Sequence, residues 1–222
     1  MVTVHHLNNS RSQRVLWLLE ELGVPYEIVR YQRQPDMRAP KELRALHPLG
    51  KSPVITDDGN TIAESGAIVE YIVNTYGNGR LIPAPKTPER LRYTYWLHYA
   101  EGSAMPPLLL KLLFTVMPKR APGLLRPLVR KVSSQALTAL VNPQLKQHMD
   151  FWEEELSKAE WFAGSQFTAA DIQMSFPLEA AAARGGLEQG HPKAMAFLER
   201  IHARPAYKRA LEKGGPYAIA RG

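Results

Sequence analysis

Residues 47–68 read HPLGKSPVITDDGNTIAESGAI, and this stretch decides the fold of the first part of the chain. Two short runs of strand-forming residues, PVIT and TIA, flank Asp58 and Gly59. That dipeptide suits the positive φ angles of a tight hairpin turn. Directly after the second run, apolar residues recur at helical spacing from Ile68 onward. The stretch therefore predicts an antiparallel hairpin followed at once by a helix, with Pro53 at the start of the first strand, where a missing N–H is tolerated.

The chain before this stretch predicts a β-α-β unit. The run VTVHHL near the start and the run YEIVRY at residues 26–31 have the composition of strands. Between them, apolar residues recur at helical spacing from Val15 to Leu22, and Gly23 ends the pattern. Together with the hairpin and its helix, this order predicts a small α/β domain over residues 1–84.

A change of composition marks the end of that domain. Residues 77–90 read GNGRLIPAPKTPER, which is rich in glycine and proline, as linkers are. Every patterned segment after it favours helix, so residues 88–222 are predicted to form an all-α domain. Pro106, Pro107 and Pro143 interrupt helical patterns, and the helices are expected to bend or break there.

The charge of the chain is unevenly distributed. The formal net charge is +7, and the excess belongs to the second domain. In residues 85–131, nine Lys and Arg residues face only Glu89 and Glu101. Apolar blocks interrupt this basic stretch, and no signature of a nucleic-acid-binding module accompanies it. It is interpreted as a solvated basic face that can also draw small anions toward a site.

The absence of cysteine limits the chemistry of the chain. It excludes a disulfide framework, a thiolate-bound metal and a cysteine nucleophile. The histidines are scattered, and no metal site is predicted. No leader pattern opens the sequence, and no apolar run approaches the roughly 18 residues that span a bilayer. We therefore expect a cytoplasmic protein with neither a nucleic-acid nor a membrane partner.

Two pairs of polar residues stand where predicted helices begin. Ser10 and Ser12 precede the first helix, and either can cap it or present a hydroxyl to a ligand. Glu64 and Ser65 open the helix after the hairpin. There the free N–H groups and the helix dipole favour an anion, while Glu64 can hold an ammonium group. A plain N-cap role for Ser65 is the structural alternative.

A third motif, FTAAD at residues 167–171, is typical of structure rather than chemistry. Thr168 and Asp171 stand three residues apart before an apolar run, which is the spacing of a capping box. The two side chains are predicted to cap the helix reciprocally.

Taken together, these motifs resemble the cytosolic glutathione S-transferase family over nearly the whole chain. The resemblance rests on a serine shortly before Arg14, on HPLGKSPVI, AESGAI and FTAAD, and on RPAYKRAL near the end. Each motif is weak alone, but their order and spacing are specific. The resemblance implies a thioredoxin-like N-terminal domain that binds glutathione and an all-helical C-terminal domain.

The resemblance also implies roles for the residues of the hairpin stretch. Pro53 matches the family's cis-proline, so the Ser52 backbone would pair with the cysteinyl part of glutathione. Glu64 and Ser65 match the pair that holds the γ-glutamyl end. Lys51 resembles a position that contacts the glycyl end or nearby backbone.

The family supplies a Tyr, Ser or Cys near the end of the first strand, next to the glutathione sulfur. This chain has no Cys and no Tyr before Tyr26, which favours a serine-type enzyme, and the member it resembles is a bacterial one. Serine-type members commonly place the active serine four residues before the first helix's arginine, which here selects Ser10 over Ser12. Backbone amides or Asn9 remain an alternative. Arg11 can donate to the thiolate, donate to a glutathione carboxylate, or remain solvated.

The electrophile site is expected between the first-helix loop and the bent helix near residues 100–114. Candidate walls of this site are Met105, Leu109 and Phe114. The expected activity is attack of a stabilised glutathione thiolate on small hydrophobic electrophiles, with glutathione as cosubstrate and without a further cofactor. The same site can reduce organic hydroperoxides. The alternative is a catalytically silent glutathione-binding or regulatory protein, and the resemblance implies a homodimer in either case.

Overall fold

The computed structural model describes residues 1–34, 38–215 and 217–220. Its N-terminal part follows the order of strands and helices that the sequence predicts, and it is the expected thioredoxin-like α/β unit. The strands are β1 (Val2–Leu7), β2 (Tyr26–Tyr31), β3 (Val54–Asp57) and β4 (Asn60–Ala63). The helices are α1 (Ser12–Leu22), α2 (Lys41–Leu46) and α3 (Ser65–Tyr76).

The four strands form one mixed sheet in the order β2-β1-β3-β4. β1 pairs parallel with β2, because α1 forms the crossover between them, and antiparallel with β3. The β3–β4 hairpin turns at Asp58 and Gly59, whose φ angles are 46° and 76°. The predicted hairpin is thus confirmed, with both turn residues in the left-handed region. The Ser52–Pro53 peptide bond, directly before β3, is cis, as the family resemblance implies.

The C-terminal part is helical, as predicted. Its helices are α4 (Pro88–Tyr99), α5 (Met105–Arg120), α6 (Arg126–Ala136), α7 (Asn142–Lys158), α8 (Ala169–Arg184), α9 (Pro192–Ala203) and α10 (Pro205–Gly214). Thr87 ends the predicted linker by capping α4, since its side chain accepts a hydrogen bond from the Arg90 N–H at 3.2 Å. Within the described residues, no helix is both long and apolar enough to cross a membrane.

The prolines that interrupt the helical patterns do not break the chain into separate helices. A π-helical turn, Ala100–Ala104, joins α4 to α5 just before Pro106 and Pro107. A second one, Leu137–Val141, joins α6 to α7 just before Pro143. Proline lacks an N–H, so the carbonyl four residues earlier loses its normal donor. At both places the helix widens locally and continues, as π turns allow.

Helix α1 joins the two parts of the molecule. All of its residues except Glu20 and Glu21 are buried, because it packs on the sheet as well as on α8 and α10. Trp17 meets the ring of Tyr207 edge-on, with the centroids 5.1 Å apart. The hydrophobic core is consequently continuous between the α/β unit and the helices. The residues that enter α1 and α3 therefore lie directly against the C-terminal helices.

Candidate active site

A cavity lies where the entrances of α1 and α3 meet the segment before β3 and the π turn after α4. Six predicted glutathione-site residues line it: Arg11, Lys51, Ser52, Pro53, Glu64 and Ser65. Residues from the C-terminal helices and from the loop after α2 also line it, namely Glu101, His47 and Leu49. The fold thus brings the HPLGKSPV and AES motifs together, as their predicted shared function requires.

Ser10, in the loop between β1 and α1, is buried and does not itself line this cavity; it lies directly behind Ser52. Its Oγ lies 3.1 Å from the Oγ of Ser52, which itself lines the cavity. It also accepts a hydrogen bond from the Ser12 N–H at 3.2 Å, so it satisfies one of the free donors at the start of α1. Ser10 is thus both a helix-entrance residue and the neighbour of the segment preceding cis-Pro53.

Ser12 is wholly buried behind Ser10 and does not reach the cavity. Its Oγ lies 2.8 Å from Ser10 Oγ, 2.9 Å from Nδ1 of His6, and 3.3 Å from the Leu7 carbonyl. Burial, together with the charge of Arg30, lowers the pKa of His6 to about 4, so the imidazole is neutral near pH 7. A row of hydroxyls therefore runs from Ser52 on the cavity wall through Ser10 and Ser12 to a buried neutral imidazole.

Arg14 is the buried centre of the site, with a side chain that is only 2% exposed. Its guanidinium donates to the Ser65 Oγ at 3.2 Å, to the Gln173 carbonyl in α8, and to Glu101. The side-chain amide of Gln173 also donates to Ser65 Oγ, at 3.0 Å. One cation thereby ties α1, α3, α8 and the π turn together around the cavity.

Glu101 projects from the π turn toward both arginines of the first helix's entrance. Its Oε1 accepts from Arg14 at 2.5 Å and from the Nε of Arg11 at 2.8 Å. Burial alone would raise the pKa of Glu101, but the charges of Arg14 and Arg11 outweigh burial and hold that pKa below its usual value. Glu101 is therefore a fixed carboxylate on the cavity wall.

The Arg11 guanidinium pairs with Glu101 and lies 4.8 Å from the centroid of the Phe176 ring, and its side chain is 32% exposed. A contact of Arg11 with glutathione stays a prediction. Its position on the cavity wall leaves both glutathione carboxylates and the thiolate as candidate partners.

The entrance of α3 has the geometry of an anion site. The structure places Glu64, not Ser65, at the N-cap position, and its φ of 69° lies in the left-handed region that non-glycine residues rarely adopt. No acidic residue occupies the first turn of α3. The first N–H groups of a helix have no intrahelical partners, and the positive end of its dipole favours an anion. The Glu101 carboxylate already approaches this end, since its Oε1 lies 3.5 Å from Ser65 Oγ. A ligand carboxylate beside Ser65 would accept hydrogen bonds from the free N–H groups and would interact favourably with the dipole.

Several predicted contacts lie away from this cavity. The Asn9 side chain accepts from the Ala218 N–H at 2.8 Å, so it serves the C-terminal segment. Met105 and Phe114 are half-buried against the core, and Leu109 is exposed. Phe114 instead lines a groove between α5 and α6. The structure does not assemble these three apolar residues into one pocket, and their role toward an electrophile stays a prediction.

The capping box predicted in FTAAD is present at the start of α8. The Asp171 carboxylate accepts from the Thr168 N–H at 2.8 Å and from its hydroxyl at 3.0 Å. Its other oxygen accepts from the Phe162 N–H at 2.8 Å. The box therefore fixes the loop before α8 as well as the helix start, and α8 in turn supplies Gln173 to the site.

Sequence reasoning missed the roles of Glu101, Arg14, His6 and Gln173. For two of them, Arg14 and Glu101, the sequence contains a pattern that could have indicated the role. Arg14 lies four residues before Leu18 on the apolar face of α1, and a charged residue on such a face needs a buried partner. Glu101 is one of only two acidic residues in the basic stretch of residues 85–131. His6 and Gln173 carry no local signal, because their partners come from distant elements.

Comparison with known proteins agrees with the geometry. Residues 1–74 match the family model "Glutathione S-transferase, N-terminal domain", and residues 116–205 match "Glutathione S-transferase, C-terminal domain". Glutathione S-transferase 3 of Schizosaccharomyces pombe is 38% identical, covering 96% of this chain and 88% of that protein. Glutathione S-transferase 1 of Saccharomyces cerevisiae is 33% identical, covering 96% and 95%. A glutathione S-transferase structure from Actinobacillus pleuropneumoniae is 33% identical with a TM-score of 0.80, covering 100% and 97%.

The fold and the cavity define a two-domain enzyme whose thioredoxin-like domain offers a glutathione site against a helical domain. The chain belongs to the glutathione S-transferase family, and glutathione is its substrate. The family expectation drawn from its motifs is thereby confirmed.

Proposed function

We propose that this transferase is of the serine type, with Ser10 stabilising the thiolate of glutathione bound in the cavity. The observation that carries the proposal is the 3.1 Å contact between the hydroxyls of Ser10 and Ser52, beside cis-Pro53. In the family resemblance, the Ser52 backbone pairs with the cysteinyl residue of glutathione. A sulfur held by Ser52 comes within reach of the Ser10 hydroxyl.

The two ends of glutathione find complementary charges in the cavity. At the γ-glutamyl end, the α3 entrance at Ser65 suits the carboxylate, while Glu64 and Glu101 suit the ammonium group. At the glycyl end, Lys51 and His47 suit the other carboxylate, since both line the cavity. The Nδ1 of His47 is buried and has no hydrogen-bond partner among the described residues.

The energy required of Ser10 is modest. A thiol has a pKa near 8.5, and lowering it by about two units takes about 2.7 kcal/mol of preference for the thiolate. One hydrogen bond to a charged group contributes roughly 1.5 to 3 kcal/mol, and a helix N-terminus about 0.3 to 1. A neutral Ser10 hydroxyl at the entrance of α1 is therefore sufficient without becoming an alkoxide.

The acceptor of the thiolate is proposed to be a small hydrophobic electrophile, for conjugation with a detoxifying role. Leu109 is 54% exposed on the helix that follows the π turn but does not line the glutathione cavity, so its contact with such a molecule is drawn from the family resemblance alone. Reduction of organic hydroperoxides would use the same thiolate. From the family resemblance we further expect a cytoplasmic homodimer, and light scattering that returned a mass near 25.0 kDa would contradict the dimer.

Titration of the thiolate absorbance of bound glutathione tests the role of Ser10. In Ser10→Ala the thiol pKa should rise by about one to two units, equivalent to about 1.4 to 2.7 kcal/mol. Ser52→Ala is the matched control, because it removes the neighbouring hydroxyl and keeps the backbone proposed to bind glutathione. Its thiol pKa should move by less than about half a unit. An unchanged pKa in Ser10→Ala would overturn the serine assignment.

The catalytically silent alternative gives a different result in the same preparation. A silent protein would bind glutathione tightly and turn over no electrophile. Glutathione affinity by calorimetry, measured beside conjugation rates with a panel of aryl halides, epoxides and hydroperoxides, separates the two.

A further inference from the structure

A second groove lies between α5 and α6, toward the end of the helical part where these two helices are joined. The connection between them is short, residues 121–125, so the two helices pack as antiparallel neighbours. The groove has a volume of about 470 Å³, and small-molecule sites have roughly 300 to 1,000 Å³. Among the described residues, it shares no lining residue with the glutathione cavity. It is therefore a separate candidate site.

The lining of the groove changes from charged to apolar along its length. Lys119, Arg126 and Arg130 line it near the joined ends of the two helices. Phe114 and Leu137 line it further from that connection, and both pack against the hydrophobic core. The distance along α6 from Arg130 to Leu137 is about 10 Å, since an α-helix rises about 1.5 Å per residue. The groove thus has a charged end and an apolar end that one small molecule can span.

The charged end has no acidic partner among the described residues. Its three cations form no salt bridge there, and no acidic residue is found in the described lining of the groove. The surrounding sequence is equally one-sided, since residues 102–149 contain seven Lys and Arg and neither Asp nor Glu. Helix α6 begins at Arg126, and the dipole at its N-terminus also favours an anion at this end. The groove therefore favours a ligand with its negative charge near the connection.

Ser133 contributes a buried hydroxyl to the groove, between the two ends. The residue is 2% exposed, and its Oγ has no hydrogen-bond partner among the described residues. A serine within a helix can donate to a carbonyl three or four residues earlier, as Ser175 does to Ile172 at 2.8 Å. Ser133 does not make this bond. An unpaired buried hydroxyl is unfavourable, and a ligand oxygen that accepts its proton would remove that penalty.

We propose that this groove binds a phosphate monoester that carries an apolar group. Such a phosphate has about 1.5 to 2 negative charges near pH 7 and three strong acceptor oxygens. Arg126 and Arg130 stand four residues apart on one face of α6, and each guanidinium can donate two parallel hydrogen bonds to phosphate oxygens. A carboxylate, with a single charge and two oxygens, would neutralise less of the three cations. The apolar group would lie against Phe114 and Leu137.

Isothermal titration calorimetry with 1-naphthyl phosphate tests the proposal, which does not rest on the serine-type function. We expect inorganic phosphate and 1-naphthol to bind at least about tenfold more weakly, because each lacks one of the two parts. Saturating S-methylglutathione should leave the affinity for 1-naphthyl phosphate unchanged. Competition between the two would place the phosphate in the glutathione cavity and overturn the proposal. Equal affinity for 1-naphthol would also overturn it.

Variants of exposed and buried groove residues locate the binding. Arg130→Gln should weaken binding of 1-naphthyl phosphate about tenfold, and Ser133→Ala about threefold. The matched control is Arg120→Gln, which removes the same charge from an exposed residue at the end of α5 that does not line the groove. Its effect should be less than about twofold. Equal losses in Arg120→Gln and Arg130→Gln would show that only the overall charge attracts the ligand, and would overturn the proposal.

A phosphate-headed lipid offers the same two parts as a soluble monoester. Co-sedimentation with vesicles of phosphatidylcholine and phosphatidate distinguishes these two sources. Vesicle binding that is weakened by Arg130→Gln assigns a membrane-held phosphate, whereas binding of 1-naphthyl phosphate without vesicle binding assigns a soluble ligand. Vesicle binding that Arg130→Gln leaves unchanged would count against the groove. No binding of 1-naphthyl phosphate up to about 1 mM, and none to the vesicles, would overturn the proposal.

Discussion

The pair formed by Glu101 and Arg14 offers the sharpest test of how the site is held together. Replacing Glu101 by Gln keeps the size and one acceptor oxygen of the side chain but removes its charge. Arg14, 2% exposed, then keeps only neutral acceptors: the amide oxygen, the Gln173 carbonyl and the Ser65 hydroxyl. The variant therefore isolates the value of the charge.

The expected loss lies between two reference values. Removing one partner of a fully buried ion pair costs about 3 to 5 kcal/mol, and an exposed pair contributes about 0 to 1 kcal/mol. The Glu101 side chain is 30% exposed, so solvent screens part of the interaction. We expect Glu101→Gln to lower the free energy of unfolding by about 2 kcal/mol at pH 7. For a chain of this size that is a fall in Tm of about 4 to 8 °C.

The pH dependence of this loss has a definite sign. The folded-state pKa of Glu101 lies below its unfolded value, so the ionised carboxylate stabilises the fold. Its contribution is complete above the ordinary glutamate pKa of about 4.3 and disappears as the pH falls through the lower folded-state value. The stability gap between wild type and Glu101→Gln should therefore be constant near neutral pH and shrink below about pH 4.

Urea unfolding of both proteins from pH 7 down to about pH 3 measures this gap. The matched control is Glu154→Gln, which removes a 65% exposed partner of Lys158 and should cost less than about 0.5 kcal/mol. Equal stability of Glu101→Gln and wild type at pH 7 would refute the reasoning. So would a gap that stays the same size at pH 3, since it could not then come from the charge.

Three further changes test other parts of the molecule. Because His6 is buried and neutral, the free energy of unfolding should rise by up to about 3 kcal/mol as the pH rises from about 4 to 6.5. Urea unfolding of His6→Gln should not show this dependence on pH. An equal slope in the variant would contradict the assignment. Asp171→Ala leaves the N–H groups of Phe162 and Thr168 without their acceptor, so the free energy of unfolding should fall by about 2 to 4 kcal/mol in the same assay. A fall of less than about 1 kcal/mol would contradict the capping role of Asp171. Lys51→Ala should raise the KM for glutathione about two- to fivefold at unchanged kcat, and the effect should fade at high salt. A fall in kcat would contradict a role for Lys51 in glutathione binding alone.

Most of the fold could be predicted from local pattern. Asp58 and Gly59 specify the hairpin because few dipeptides accept two positive φ angles, and the apolar spacing of α1 and α3 follows directly from helical geometry. The boundary of α4 was readable from the proline-rich linker before it. Pro106 and Pro143 were less informative, because a missing N–H does not say whether a helix breaks or widens.

The glutathione site was predictable only where its residues form sequence motifs. Lys51, Ser52 and Pro53 are consecutive, so one loop delivers all three to the cavity. The buried residues that pack behind the cavity, such as Arg14 and its hydrogen-bond partners, are far apart in the sequence. Arg14 meets its partners 51 to 159 positions along the chain, and such pairings depend on how the two domains pack.

The π turn before α5 explains how the helical domain reaches a site built mainly by the α/β domain. Each residue of an α-helix turns the chain by about 100°, so the wider π turn of Ala100–Ala104 offsets the face of α5 from that of α4. Pro106 and Pro107 make the regular ladder impossible just there. The offset lets α4 keep Trp96 and Tyr99 in the core while Glu101 turns toward Arg14 and the cavity. The prolines thus act on the glutathione site through the helix, without touching the cavity themselves.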